Sequence, residues 1–158
     1  MMFNIKKVQA HCDIPCKVYD PSVIQYSALS IVRFIDLINE EIKDANMNSN
    51  NISQLTRLIS VKEQHAKEVK TEVATIWGDY FKEPQISKYP EIHGLVHSIM
   101  QLASKCKQEN IRENGVELLK NINKFTEIFW STKEIKTEKK FSPYPPELVI
   151  VCPILKSA

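Results

Sequence analysis

Apolar residues recur along most of this chain at helical intervals, three or four positions apart, as on helices with one buried face. Ile24, Ala28, Ile31, Ile35, Ile38 and Ile42 share one such face, and Asp20 followed by Pro21 supplies an N-cap and a first-turn residue ahead of it. The pattern lapses in "DANMNSNN", a polar stretch that reads as a loop. A second stripe, Leu55, Leu58, Ile59, Ala66, Val69, Val73, Ile76, Trp77 and Tyr80, predicts a helix from about Ser53 to about Phe81. At 1.5 Å per residue it is roughly 42 Å long. "KEPQISKYP" interrupts the period, and Pro90 opens a third helix with Ile92, Leu95, Val96, Ile99, Leu102, Ala103 and Cys106 inward. A fourth uses Val116, Leu119, Ile122, Phe125, Ile128 and Phe129. Four amphipathic helices with short connections predict an all-α fold, an antiparallel four-helix bundle over 20–134.

The last segment, 135–158, departs from this pattern. "KKFSPYPPELVIVCPILKSA" holds four prolines and one apolar patch, Leu148 to Val151. The plain expectation is a loosely ordered C-terminal extension. A short strand, or an arm laid on a neighbour, is the alternative.

At 158 residues the chain fits a single domain. Its 21 basic and 19 acidic residues leave a net charge of +2, which argues against nucleic-acid binding driven by bulk charge. No apolar run approaches the roughly 18 residues of a membrane span. "MMFNIKKVQA" has no apolar core of signal-peptide length, so the expected location is cytoplasmic. Four cysteines, Cys12, Cys16, Cys106 and Cys152, are too few for a secreted disulfide framework. A close thiol pair in a reducing compartment points instead to a metal or redox site.

That pair lies in "HCDIPCKVYDP", which puts one imidazole, two thiols, a carboxylate and a phenol within nine residues, His11 to Tyr19. Pro15 fixes its own φ and restricts Ile14, so a short turn can bring both sulfurs to one centre. Zinc is the generic guess, but structural zinc takes four side-chain ligands and the local count is three. Square-planar nickel or copper fits better if backbone nitrogens complete the plane. A terminal His offers its amine, its imidazole and the next amide together. Ala10 is a small residue of the kind processing enzymes accept, and removal of 1–10 as a leader would leave His11 first.

The motif resembles the nickel hook of nickel-containing superoxide dismutases, whose pattern is HCxxPCGxYDP. "VKEQHAKEVK", "WGDYFK", "KYPEIHGLV" and "IFWSTK" resemble successive segments of that family in order, so the likeness covers about His11 to Lys133. It implies an oxidoreductase that disproportionates two superoxide anions to dioxygen and hydrogen peroxide while a nickel ion alternates between +2 and +3. It implies a bundle assembled as a homohexamer and a processing protease that removes the leader. The metal residues it implies are His11, through its α-amine and its axial imidazole, Cys12, through its amide and thiolate, and Cys16, through its thiolate. Tyr19 matches the hook tyrosine that guards substrate access, and Tyr80 matches a second pocket tyrosine. Asp13 matches an aspartate beside amides that shape the site, and the Ile14–Pro15 bond is expected to be cis.

Three positions depart from the family. Lys17 replaces a glycine, as a solvated side chain or as a charge that steers superoxide. Ser27 falls where the family has a glutamate orienting the axial imidazole, and His65 where it has an arginine in the same network. A direct Ser27–His65 pair is the expected replacement. If the redox tuning were lost with these residues, the chain would be a non-enzymatic nickel-binding bundle. Without metal, Cys12 and Cys16 would make a thiol redox switch. His93 and His97, spaced i,i+4, are expected in surface or packing roles, and Cys106 as a small buried hydrophobe. Cys152 has no evident partner. Trp77, Trp130 and Phe129 are expected in the core.

Overall fold

The computed structural model describes residues 18–43 and 47–157. Helix α1 spans Ser22–Glu41, α2 Ser49–Thr75, α3 Glu83–Lys88, α4 Ile92–Gln108 and α5 Arg112–Thr132, followed by strands β1 Thr137–Phe141 and β2 Val149–Pro153. The pairs α1–α2, α2–α4, α4–α5 and α5–α1 pack against one another and close a ring, the expected four-helix bundle. Ile24, Ala28, Ile31 and Ile35 of α1, Ala66, Val69 and Val73 of α2, Ile99 and Ala103 of α4, and Ile122, Phe125 and Phe129 of α5 fill its centre.

The helix ends show where local chemistry overrides the apolar period. Asp20 does supply a cap bond, Oδ1 accepting from Ser22 N–H at 2.8 Å, but Pro21 holds the N-cap position. Ile42 lies past the last turn of α1 and is 54% exposed rather than buried. Helix α2 begins four residues before Ser53, because Asn48 caps it. Its side chain accepts from the backbone N–H of Asn50 and Asn51, and Asn51 returns a bond to Asn48 N–H. Part of the supposed loop is therefore a helix start.

At its far end α2 passes into a π-helical turn, Ile76–Tyr80, closed by Phe81 N–H bonding to Ile76 O. The extra residue per turn turns Trp77 to the surface, while Ile76 and Phe81 stay buried. The Pro-containing break after it folds into α3, with Pro84 in its first turn. Gly115 of α5 sits where a Cβ would come within 2.8 Å of Val32 Cγ2, so α1 and α5 approach closely there.

The tail is not loose: it forms the short strand that was the alternative expectation. Strands β1 and β2 form an antiparallel hairpin with Thr137 opposite Pro153 and Phe141 opposite Val149. It docks on the bundle through backbone groups. The Gln25 side-chain amide donates to Val151 O at 3.0 Å and accepts from Val151 N–H at 2.8 Å, and Asn123 donates to Val149 O. Gln25 thus pairs with β2 as a neighbouring strand would, and Val151 is buried beneath it.

A lysine is buried between α2 and the α4–α5 turn. Lys62 Nζ donates to the carbonyls of Glu109 (3.0 Å) and Lys107 (3.4 Å) and to Asn110 Oδ1 (2.7 Å), binding carbonyls at the end of α4. Burial, opposed by the nearby Cys106 and Glu63, lowers its pKa. Cys106 is fully buried, as expected, and its thiol is pushed up to about 11, chiefly by burial. The unfolded chain therefore releases the Cys106 proton before the folded chain does, and this thiol's contribution to stability is lost as pH rises from about 9 to about 11. At 1.36 kcal/mol per pKa unit the loss reaches about 2.7 kcal/mol. Lys62 acts with the opposite sign. Urea unfolding of wild type and Cys106→Ala at pH 8 and pH 11 isolates the thiol: wild type should lose about 2–3 kcal/mol more than the variant over that interval.

Candidate metal centre and its surroundings

The proposed ligands His11, Cys12 and Cys16, with Asp13, the Ile14–Pro15 bond and Lys17, lie outside the described residues. Their fit to nickel rests on donor chemistry. Two thiols and an imidazole within six residues of sequence suit a late transition metal, and backbone nitrogens could complete the donor set. Among the described residues no group of three or more His, Cys, Asp or Glu side chains is placed to hold a metal ion.

The structure does describe where the hook motif joins the bundle. Tyr19, half-buried against the core, has its ring 5.8 Å from that of Tyr80, at 52°. The two tyrosines singled out from the sequence are thus brought together. Tyr80 reaches this place because it closes the π-helical turn. Its ring lies 4.9 Å from Phe129 and 5.3 Å from Phe81. Phe129 is buried in the core as expected, and Trp130 packs edge-on to it.

The hydroxyl of Tyr80 meets Thr132 Oγ1 at 2.5 Å, and Thr132 Oγ1 donates its own proton to Phe129 O at 2.6 Å. A hydroxyl has one proton, so Tyr80 must be the donor to Thr132. Its phenol proton is committed inside the bundle, and its oxygen is left as an acceptor. Lys133, the C-cap residue of α5, holds Nζ 4.7 Å from the Tyr80 ring centroid and 5.1 Å from that of Phe129. Thr132 and Lys133 carry no signal in the sequence beyond lying in "IFWSTK".

Ser27 and His65 do not pair directly. Both bond Glu68: Ser27 Oγ donates to Oε2 at 2.6 Å, and His65 Nδ1 lies 3.2 Å from the same oxygen. His65 is stacked on Phe34 and meets Tyr26 edge-on. Ser27 and His65 are instead joined by a three-residue network around a carboxylate from the next turn of α2. The apolar period gives no reason to notice Glu68; the one signal that could have pointed to it is its i,i+3 spacing from His65.

Trp77 is half-exposed rather than in the core, and its Nε1–H donates to His93 Nδ1 at 3.1 Å. That bond holds neutral His93 with its proton on Nε2. Metal ligation through Nε2 would move the proton to Nδ1 and break the contact. His93 and His97 are accordingly exposed surface residues, as expected. Cys152 is half-buried in β2.

Ser27 is fully buried, so removing its acceptor leaves a hydroxyl without a partner. Glu68→Ala should cost about 1–3 kcal/mol in urea unfolding. A double-mutant cycle with Ser27→Ala should return a coupling near 1 kcal/mol. A coupling indistinguishable from zero would show that the network does not hold α1 to α2.

A sequence model described as nickel-containing superoxide dismutase matches residues 6–133. The superoxide dismutase [Ni] of Streptomyces coelicolor is 35% identical over 127 residues, covering 80% of this chain and 91% of that one. Its counterpart in Streptomyces seoulensis is 34% identical over 128 residues, covering 81% and 92%. A native nickel superoxide dismutase structure superposes with a TM-score of 0.69 at 35% identity, covering 78% of this chain and 99% of its own. The match runs through the hook motif and all five helices and stops at Lys133, before the hairpin. This chain belongs to the family of nickel-containing superoxide dismutases.

Proposed function

We propose that the chain is a superoxide dismutase that binds nickel through His11, Cys12 and Cys16. The observation that carries this reading is the intact HCDIPC motif at the head of a family match that extends to Lys133. His11 contributes its α-amine and imidazole, Cys12 its amide nitrogen and thiolate, and Cys16 its thiolate. When bound, nickel supplies a one-electron couple between its +2 and +3 states. The anionic donors raise electron density at the metal and favour the higher state.

Conversion of two superoxide anions to dioxygen and hydrogen peroxide consumes two protons. Tyr80 is not their immediate source, because its hydroxyl donates to Thr132. Its oxygen is left to accept, so it can orient a water that passes on the two protons drawn from solvent. Tyr19, packed on Tyr80, covers the approach and limits oxidation of the hook thiolates by peroxide. The Glu68 carboxylate keeps a charged acceptor beside Ser27 and His65, which favours an active enzyme over a detuned nickel carrier.

Residues 1–10 act as a leader cut after Ala10 by a processing protease, 11–19 as the hook, 20–134 as the bundle and 135–158 as an extension. The working form is a cytoplasmic homohexamer. No described helix is long and apolar enough to cross a membrane. Ile52 and Ile59 of α2 remain exposed, with Leu55 and Leu58 half-buried between them, a stripe that association of copies would cover. Sedimentation equilibrium of the nickel-loaded protein should give a mass of six chains; a monomer would overturn the assembly.

Two forms test the centre, one beginning at His11 and one retaining Ala10. The first should bind nickel and consume superoxide. The second should lose more than the ~10–100-fold that removal of an outer-shell partner costs. Equal activity would reject amine ligation, and no turnover by the nickel-loaded His11 form would reject the function itself.

A further inference from the structure

We propose that the Lys133 ammonium is the fixed positive charge that draws superoxide to the Tyr19–Tyr80 end of the bundle. The inference deepens the function proposed above and rests on it. Superoxide is a small monoanion, so the property most useful at its entrance is an uncancelled cation held in place.

Lys133 meets that description. Its Nζ lies within 4.7 Å of the Tyr80 ring centroid and 5.1 Å of the Phe129 centroid, so two aromatic faces restrain a side chain that would otherwise sample many rotamers. Three other lysines of α5 and the hairpin do form ion pairs: Lys120 with Glu117, Lys139 with Glu127 and Lys140 with Glu138. Among the described residues Lys133 makes no such ion pair. Lys82, two residues beyond Tyr80, spends its Nζ on the Gly78 carbonyl.

The charge is also at the correct end of the molecule. Tyr80 touches Tyr19, and Tyr19 follows the second hook cysteine by three residues. Three residues of chain span at most about 11 Å. A helix C-terminus also favours a cation, and that alone would be a purely structural reason for a lysine here. The two roles differ in their salt dependence. Steering is strong where the Debye length is about 30 Å, near 0.01 M salt, and mostly screened at about 3 Å, near 1 M. Packing on Tyr80 is not screened in this way.

Lys133→Met keeps an unbranched stem on the rings and removes the charge, whereas Lys133→Arg keeps both. Lys120→Met removes a charge 13 residues earlier in α5, roughly 20 Å along the helix, and serves as the control. With nickel content matched, kcat/KM of Lys133→Met should fall about 3-fold at 0.01 M salt and converge on wild type near 1 M. Lys133→Arg and Lys120→Met should follow the wild-type salt curve. In the nickel-free full-length chain, azide used as a monoanion probe should shift the Tyr80 ring resonances in wild type and not in Lys133→Met. An unchanged salt curve for Lys133→Met, an equal loss at both salt concentrations, or an equal loss in Lys120→Met would each overturn the proposal. Absence of turnover in wild type would instead reject the dismutase reading, and the azide titration would still decide the role of Lys133.

Discussion

The contact between Tyr19 and Tyr80 is the joint on which the rest of the functional arrangement depends. A motif of nine residues has too little apolar surface to fold by itself, and its last residue, Tyr19, packs on a platform. That platform is the end of the bundle where the π-helical turn meets the last turn of α5. Tyr80 is set by both. The turn gives its backbone position, and Phe129, Thr132 and Lys133 fix its ring and hydroxyl. Chemistry near the chain start is therefore coupled to residues more than a hundred positions away, through one aromatic cluster.

The bundle was legible because one-faced helices leave a period that tertiary structure rarely overrides. Ile24 to Ile38 in α1 and Ile92 to Cys106 in α4 are buried nearly as the stripe requires. What escaped the pattern has specific causes. The start of α2 is governed by an asparagine cap, which resembles loop composition. The π-helical turn changes the period, so Trp77 was assigned to the wrong face. The hairpin is short and held by backbone bonds to Gln25 and Asn123, neither of which has a hydropathy signature. At the site, the hook was legible as chemistry and Tyr19 and Tyr80 by resemblance. Glu68 was not, because a carboxylate on the flank of a long helix looks like solvated surface until its partners are known.

The thiols are sorted by environment. Cys106 is enclosed by the core, and the burial that raises its pKa to about 11 also keeps it protonated. A protonated, inaccessible thiol is a poor ligand and a poor target for peroxide. The nearby Lys62 ammonium would by itself favour the thiolate, but its protons are already engaged by two carbonyls and an amide oxygen. Desolvation wins over the charge, so the same side-chain type serves as a hydrophobe in α4 and as a proposed metal ligand in the hook.

The hairpin shows how a chain of this family can carry an addition beyond the matched region. It adds no helix to the ring. It covers the flank of α1 and α5, where Gln25 presents an amide in place of a missing strand neighbour. Because that contact is made to the backbone of Val151, it places little demand on the hairpin's own sequence beyond the buried position itself. Asp20, Ser22 and Cys152 line one cleft there, beside the first turn of α1. The extension therefore borders the residues that follow directly on Tyr19, so one short stretch of chain lies next to both the aromatic joint and the hairpin.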